Sequence, residues 1–314
     1  MVKNISRRNF VKKSTAAALG TAVMTGKIDK LLAKTSYNAD TDISVVTGSD
    51  YLNNTIKSID ALGGISKFVP INSRVAVLAN VQRWNPGTFT KPEIVRATIQ
   101  MCKKAGAKEI NFLSLLPEAN WNGTGLADVV KSENVNLKLF SGREASNFRK
   151  VPISNGRVLK EMEVLKEFYN NDIFITLPIT KDHAGNKFTG TLKNMMGLNS
   201  STSNRTFHKT NWTTDPDSIE FLDNCIADMN LVLKPDLCIV DATEFITTNG
   251  PMGPGELIKP QKIVAGTDRV AIDSYCATLF NNLKGSDIIM IKKGYEYKLG
   301  EIDLNKVNIK QIKS

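Results

Sequence analysis

Both histidines of the 314-residue chain, His183 and His208, fall inside one segment rich in lysine, glycine and asparagine. It reads Leu-Pro-Ile-Thr-Lys-Asp-His from Leu177 to His183, then Thr-Gly-Thr-Leu-Lys-Asn-Met-Met-Gly from Thr189 to Gly197. An imidazole titrates near neutral pH, so general acid/base work or nitrogen ligation of a metal points to this stretch. Three roles stand open for His183: acid/base catalyst, metal ligand, or core histidine satisfied by backbone. His208 lies in a Ser/Thr/Asn-rich loop, where a lid and plain solvent exposure both fit. Around them Lys181, Lys187, Lys193, Arg205 and Lys209 concentrate cationic donors. Gly190 would let backbone approach a ligand closely, and a short helix beginning near Thr191 would aim free N–H groups at it. With Lys193 as point charge and Thr189 and Asn194 beside it, such a site suits a carboxylate or phosphate. The bland alternative is a solvated basic loop. No full phosphate-loop pattern is present.

Four carboxylates could serve this segment: Asp241, Asp268, Asp273 and Glu244. A carboxylate ending a parallel strand can orient a lysine or histidine or bind a hard cation, which makes His183, Asp241 and Asp273 the candidate metal ligands. Asp268 opens a helical pattern, where capping is the simpler role, and Asp273 fits a structural pairing equally well. The turn-rich run Asn249-Gly-Pro-Met-Gly-Pro-Gly would shape a rim or hold the Asn194 side chain. Trp84, Trp121 and Trp212 lie in polar stretches that could flank the same rim. Cys102, Cys225, Cys238 and Cys276 contain no Cys-x-x-Cys, which argues against an iron–sulfur cluster or structural zinc. Their apolar surroundings read as buried thiols, with a disulfide open outside the cytoplasm. Gly-x-Ser-x-Gly and His-Glu-x-x-His are absent, so serine hydrolase and zincin chemistry lose support.

The positioning elements follow from periodicity. Strands are predicted at Ile43–Thr47, Val75–Leu78, Ile110–Leu115, Val135–Leu139, Ile173–Leu177, Leu237–Val240 and Ile263–Val264. Helices are predicted at Tyr51–Leu62, from Thr90 to Ala105, near Val158–Tyr169, from Asp217 to about Leu233, and at Val270–Phe280. Thr90 and Glu93 have the spacing of a capping box, and Gly106 ends that helix. Strand–helix alternation predicts an α/β fold, a mainly parallel sheet, with mixed pairing allowed, covered by helices on both faces. Such sheets bind ligands beyond the carboxyl ends of their strands. Lys181 to His183 follows one strand, Asp241 ends another and Asn80 follows a third, so the three are predicted on one rim.

These residues resemble a widespread bacterial and archaeal family, domain of unknown function 362. The matching elements are Lys181-x-His183, Thr189-Gly190-x-x-Lys193-Asn194-x-x-Gly197, Asp241, Asn249-Gly250-Pro251-x-Gly253-Pro254-Gly255 and Ala265-Gly266-Thr267-Asp268-Arg269-Val270-Ala271-Ile272-Asp273. The stretch Glu93 to Phe112 resembles the family's early part, and the match runs over roughly residues 70–285. Many relatives carry ferredoxin-like cysteine clusters, implying electron transfer there; this chain has none, so that role is not carried over. The family is also distantly similar to the N-terminal region of nickel-pincer racemases, from which no residue is carried across.

The formal charge of +10 is concentrated at one end: residues 1–34 hold eight basic residues and one acidic. The remainder has 33 basic against 30 acidic residues, close to neutral, which argues against nucleic acid as a partner. Ser6-Arg7-Arg8-Asn9-Phe10-Val11-Lys12, followed by a mildly apolar run from Thr15 to Met24, matches a twin-arginine export signal. That run is shorter than the ~20 residues of a spanning helix, and no clean small-x-small site follows, so membrane contact is expected only through the signal if it stays uncleaved. The expected organisation is a signal segment and linker at 1–34 and a single α/β domain at 35–314. The export machinery is a partner, and the location is periplasmic or on the outer face of the cytoplasmic membrane.

Folded export suits a protein loaded with a cofactor; its identity is open, and a metal ion fits. The leading expectation is an exported enzyme binding a small anionic substrate through Lys181, Lys193 and Asn194, with Thr189, Gly190, Asn80 and Asn249 around it. His183 would handle a proton or a metal, and Asp241 would orient the basic group. A non-catalytic solute or metal-binding module, and an accessory carrier of cofactor or electrons, are the alternatives.

Overall fold

Side chains alternate across the central strands, and that alternation divides the core into two layers. The computed structural model describes residues 41–280 and 283–314; the segment expected to be a twin-arginine signal lies outside them. Strands are β1 (Ile43–Thr47), β2 (Arg74–Ala79), β3 (Glu109–Ser114), β4 (Asn136–Leu139), β5 (Phe148–Pro152), β6 (Glu161–Leu165), β7 (Ile173–Leu177), β8 (Leu237–Ala242), β9 (Phe245–Ile246), β10 (Leu257–Ile258), β11 (Lys262–Gly266) and β12 (Ile309–Lys313). Helices are α1 (Tyr51–Asp60), α2 (Pro92–Lys104), α3 (Glu118–Gly123), α4 (Leu126–Ser132), α5 (Thr191–Asn194), α6 (Ser201–Phe207), α7 (Pro216–Val232), α8 (Arg269–Ala277) and α9 (Ile289–Glu296).

Eight strands form one mixed sheet in the order β12-β1-β11-β8-β7-β2-β3-β4. From β8 to β4 every neighbour is parallel, and β11 runs antiparallel to both β8 and β1. Val75 and Val77 of β2 face one layer with Ile110, Phe112 and the apolar sides of α2 and α4. Ala76 and Leu78 face the other with Leu113, Phe174 and residues of α5, α7, α8 and α9. The sheet is therefore covered on both faces, as the alternation of elements implies. In α2, Ile94, Val95, Ile99 and Cys102 are fully buried. At roughly 1.5–3 kcal/mol for each large side chain, that packing outweighs the weak helix preference of isoleucine and valine.

Several sequence expectations are corrected. Thr90 does not cap α2: its hydroxyl donates to the Leu177 carbonyl at 2.6 Å, the N-cap is Lys91 and no side chain caps it from within the motif. Instead Asp241 reaches across from β8 and accepts the Lys91 N–H at 2.8 Å. Where a helix is expected near Val158–Tyr169, Glu161–Leu165 form β6, paired with β5, and only Lys166–Asn170 make a short 3-10 turn; Met162 and Val164 are buried while Glu161 is exposed and Glu163 half-buried, a period of two. Residues 136–139 form an exposed edge strand and not a buried one, since β4 has a neighbour on one side. Trp121 is fully buried in α3, edge-on to Phe112, and does not flank a rim.

From β2 the chain moves outward through β3 to β4, then returns to place β7 on the other side of β2 and β8 beyond it. The order reverses between β2 and β7, and a crevice opens beyond their carboxyl ends, as expected of a doubly wound sheet.

Candidate functional site

A cavity of about 270 Å³ occupies that crevice. Asn80 at the end of β2, Ser114 at the end of β3, and Thr189, Lys193 and both histidines from the segment after β7 line it. Of the three elements predicted on one rim, the His183 segment and Asn80 converge here and Asp241 does not.

Lys193 is buried, and its ammonium has three donors to satisfy. Its contacts are one long hydrogen bond to Asn186 Oδ1 at 3.3 Å and the Met196 sulfur at 3.7 Å. Asn186 in turn donates to Asp223 Oδ1 at 2.6 Å, so the amide bridges the lysine to a buried carboxylate. Burial pushes the Lys193 pKa down and the Asp223 pKa up, and each partly offsets the shift of the other. The result is a poorly coordinated positive charge at the cavity wall.

His183 and His208 are both held by backbone. Nδ1 of His183 meets the Ala184 carbonyl at 2.8 Å and Nδ1 of His208 meets the Asn204 carbonyl at 2.7 Å. A carbonyl only accepts, so Nδ1 carries the proton in each ring and Nε2 presents a lone pair. Burial, reinforced by the Lys193 charge, holds the His183 pKa well below its ordinary value and that of His208 at about 4. Both are neutral at pH 7. Trp212 packs against the two rings, with centroids 5.1 and 4.9 Å away.

Lys181 is wholly buried and donates to the Thr88 carbonyl at 2.7 Å and to Asn80 Oδ1 at 3.3 Å; burial brings its pKa down to about 7. Asn80 passes the orientation on by donating to Asn194 Oδ1 at 3.3 Å, and Asn194 donates to Thr176 Oγ1 and the Leu78 carbonyl. Lys181 thus fixes the amides at the cavity floor from behind.

The remaining predicted residues sit elsewhere. Asp241 places its oxygens on Lys91 N, Thr243 N and Thr243 Oγ1, so it ties strand β8 to the start of α2 and holds neither Lys181 nor His183. Asp273 accepts the N–H groups of Thr191 and Leu192 at 2.6 and 2.9 Å. The N-terminus of α5 is therefore occupied by a carboxylate of the protein and is not available to an external anion. Gly190 is required because a Cβ there would overlap Asp273 Oδ1, a packing demand and not an approach to ligand. Asp268 caps α8 through Val270 N and Ala271 N. Asn249 is exposed and donates to the Pro254 carbonyl at 3.1 Å. Its loop clamps the histidine segment through Gly250, which bonds Asp182 and Ala184 and leaves Asn194 to other partners.

Among the described residues no group of three or more His, Cys, Asp and Glu side chains is arranged to hold a metal. The four cysteines are buried and free, with burial raising the thiol pKa of each. Sequence reasoning missed Asn186, Asn199, Asn204 and Asp223. The asparagines carry no spacing signal; for Asp223 the unused signal was a carboxylate four residues after Ile219 and three before Ile226, toward the apolar side of a helix.

In solved structures the chain is similar to the lactate racemase apoprotein of Thermoanaerobacterium thermosaccharolyticum, with a TM-score of 0.46 and 13% identity over 69% of this chain and 54% of that one. It is also similar to a structural-genomics protein of Thermotoga maritima, with a TM-score of 0.39 and 13% identity over 62% and 51% of the two chains. A thylakoid-associated protein of Synechocystis sp. is 28% identical over 224 residues, 68% of this chain. The match spans 65% of that relative's length, just under two thirds. Residues 75–278, more than half of the chain and all of the cavity's principal side chains, match one family profile, and the protein belongs to the family described as Domain of unknown function (DUF362).

Proposed function

We propose that the cavity binds a small organic anion and that His183 moves a proton on it. The observation that carries this reading is Lys193: a buried ammonium with one long hydrogen bond, lining a cavity that also holds two neutral imidazoles. A bound carboxylate or phosphate would supply the missing acceptors. It would also cancel the charge that, after burial, depresses both histidine pKa values, so binding makes Nε2 of His183 a stronger base at the moment a substrate proton comes within reach. Asn80 would orient the anion through its remaining amide hydrogen, held in place by Lys181 and Asn194. At about 270 Å³ the cavity lies just below the ~300–1,000 Å³ of ordinary ligand pockets, and this favours a small metabolite over a nucleotide.

The test is a thermal-shift panel of short carboxylates and phosphate monoesters, followed by NMR of each bound compound in deuterated water. A binder at 100 times its Kd stabilises the chain by about 2.7 kcal/mol. Deuterium is expected at the carbon next to the acid group with the wild type and to vanish with His183→Ala, while binding persists. Binding without any exchange leaves a solute-binding module, the non-catalytic alternative.

A metal-dependent version would rest on the two Nε2 lone pairs alone, because Asp241 and Asp273 are engaged elsewhere; it predicts stoichiometric metal in protein purified without chelators. Export by the twin-arginine route is proposed on Arg7 and Arg8, and the thylakoid association of a relative supports a membrane-side location. Replacing both arginines with lysine should leave the protein in the cytoplasmic fraction, and unchanged export would refute that route. Among the described residues no helix is long and apolar enough to cross a membrane.

A further inference from the structure

Most polar groups around the cavity spend their hydrogen bonds on the protein itself. Asn194 gives both amide hydrogens away, to the Leu78 carbonyl and Thr176 Oγ1, and accepts from Asn80. Asn199 Nδ2 donates to the Met195 carbonyl and the Met229 sulfur, and Asn204 Nδ2 to the carbonyls of Met196 and Asn199. The carboxamide oxygens of these two residues and the Thr189 hydroxyl are sealed from solvent and out of a ligand's reach. Ser114 Oγ accepts the Leu116 N–H at 3.0 Å. What stays open to a ligand is one cation, Lys193, together with the Asn80 amide, the two imidazoles, Gln82 and Ser201. The other side chains of the lining are apolar, among them Leu78, Leu115, Leu116 and Met196. Leu115 and Leu116, just past the end of β3, are only half-buried, so the fold leaves part of each side chain uncovered. The Met196 sulfur lies 3.7 Å from Lys193 Nζ, so the apolar wall begins at the cation.

We propose that the ligand of this cavity is a short-chain aliphatic carboxylate, its acid group on Lys193 and its hydrocarbon body against Leu115, Leu116 and Met196. The inference rests on the anion reading given above and adds the chemistry of the ligand's other end. Three features of the wall choose among anions. A polyhydroxylated body would leave water without finding partners, because the wall amides are committed within the protein. An amino acid would bury an unpaired ammonium, since among the described residues lining the cavity none is Asp or Glu. A phosphate monoester carries about −1.5 to −2 charge at pH 7 and calls for several donors. The cavity offers one lysine with donors to spare: Asp273 takes the N-terminus of α5, and Lys181 is engaged by Thr88 and Asn80. An aliphatic chain asks for no partner and is stabilised in proportion to the apolar area it buries.

Calorimetric titration of the purified full chain at pH 7 with acetate, butyrate, hexanoate, D-erythronate, inorganic phosphate and butyramide tests this. Affinity is expected to rise about fourfold for each methylene from acetate to butyrate, with hexanoate at least as tight as butyrate. D-Erythronate, the trihydroxylated acid of the same chain length, and phosphate should each bind about tenfold more weakly than butyrate. Leu115→Ser should lower the butyrate-to-acetate affinity ratio by about threefold, and a ratio is untouched by any loss of folded protein common to both titrations. If acetate, butyrate and hexanoate bind equally, if erythronate or phosphate matches butyrate, or if the variant keeps the full ratio, this inference fails and the anion reading stands. If butyramide binds as tightly as butyrate, or none of the six binds, the anion reading fails and takes this inference with it.

Discussion

Lys193→Met is expected to weaken binding of a small anion in the cavity by roughly 100-fold, the scale of a lost charge-assisted hydrogen bond in a site with little water. The fold should survive. Methionine matches the length of the buried stem, and the usual cost of removing one partner of a buried charge pair is avoided where the other partner can become neutral. Asp223, relieved of its cationic neighbour, is expected to hold its proton, because burial already raises its pKa. The pH dependence has a definite sign. An anion binds the ammonium form, so affinity is constant while Lys193 is protonated and falls about tenfold per pH unit once it is not. Because burial lowers the Lys193 pKa from 10.5, the fall should begin below the ordinary lysine range. Titration calorimetry from pH 6 to 10 checks both points. Equal affinity in the variant, or a fall that begins only above 10.5, would show that the anion is held elsewhere.

The second large effect is on stability. Asp273→Ala should cost about 3–5 kcal/mol, because the buried N–H groups of Thr191 and Leu192 each lose their acceptor at roughly 1–3 kcal/mol and a void is added. For a chain of this size that is a fall of roughly 10 °C in Tm. A loss below 1 kcal/mol would mean that water replaces the carboxylate. The conservative variant carries its own pH signature. Burial pushes the Asp273 pKa from 3.8 up to about 6, so the folded state holds more protons than the unfolded one between those values. That contribution to stability is fully present below 3.8 and is lost as pH rises through 6. The cost of Asp273→Asn, which cannot titrate, should therefore shrink from pH 4 to pH 7.

These two residues illustrate what could be read from the chain. Lys193 was marked by its company: a lysine among glycines, asparagines and both histidines, after an apolar run that had to be a strand. Asp273 was marked as a carboxylate on a helix, and its periodicity could not distinguish a metal ligand from a partner for backbone. Asp241 is the sharper case. Its place at the end of β8 was legible, and the rim role followed from topology, but its oxygens are taken by Lys91 and Thr243. Residues 158–169 failed for a local reason. Glu161 to Val164 alternates over only four residues before the buried Leu165, too short a run to separate a strand from the start of a helix without its partner β5.

The sequence by itself determined the α/β class, most of the apolar strands and the location of the candidate site after β7, because burial periodicity and the clustering of rare residue types are properties of the chain alone. Tertiary structure decided the rest: that β11 runs antiparallel, that the N-terminus of α5 is closed by Asp273, and that Asn186 bridges Lys193 to Asp223. Each is a pairing between residues distant in the chain or in separate elements, and hydrogen-bond satisfaction depends on which groups the fold brings within about 3 Å, a distance that no spacing along a single chain encodes.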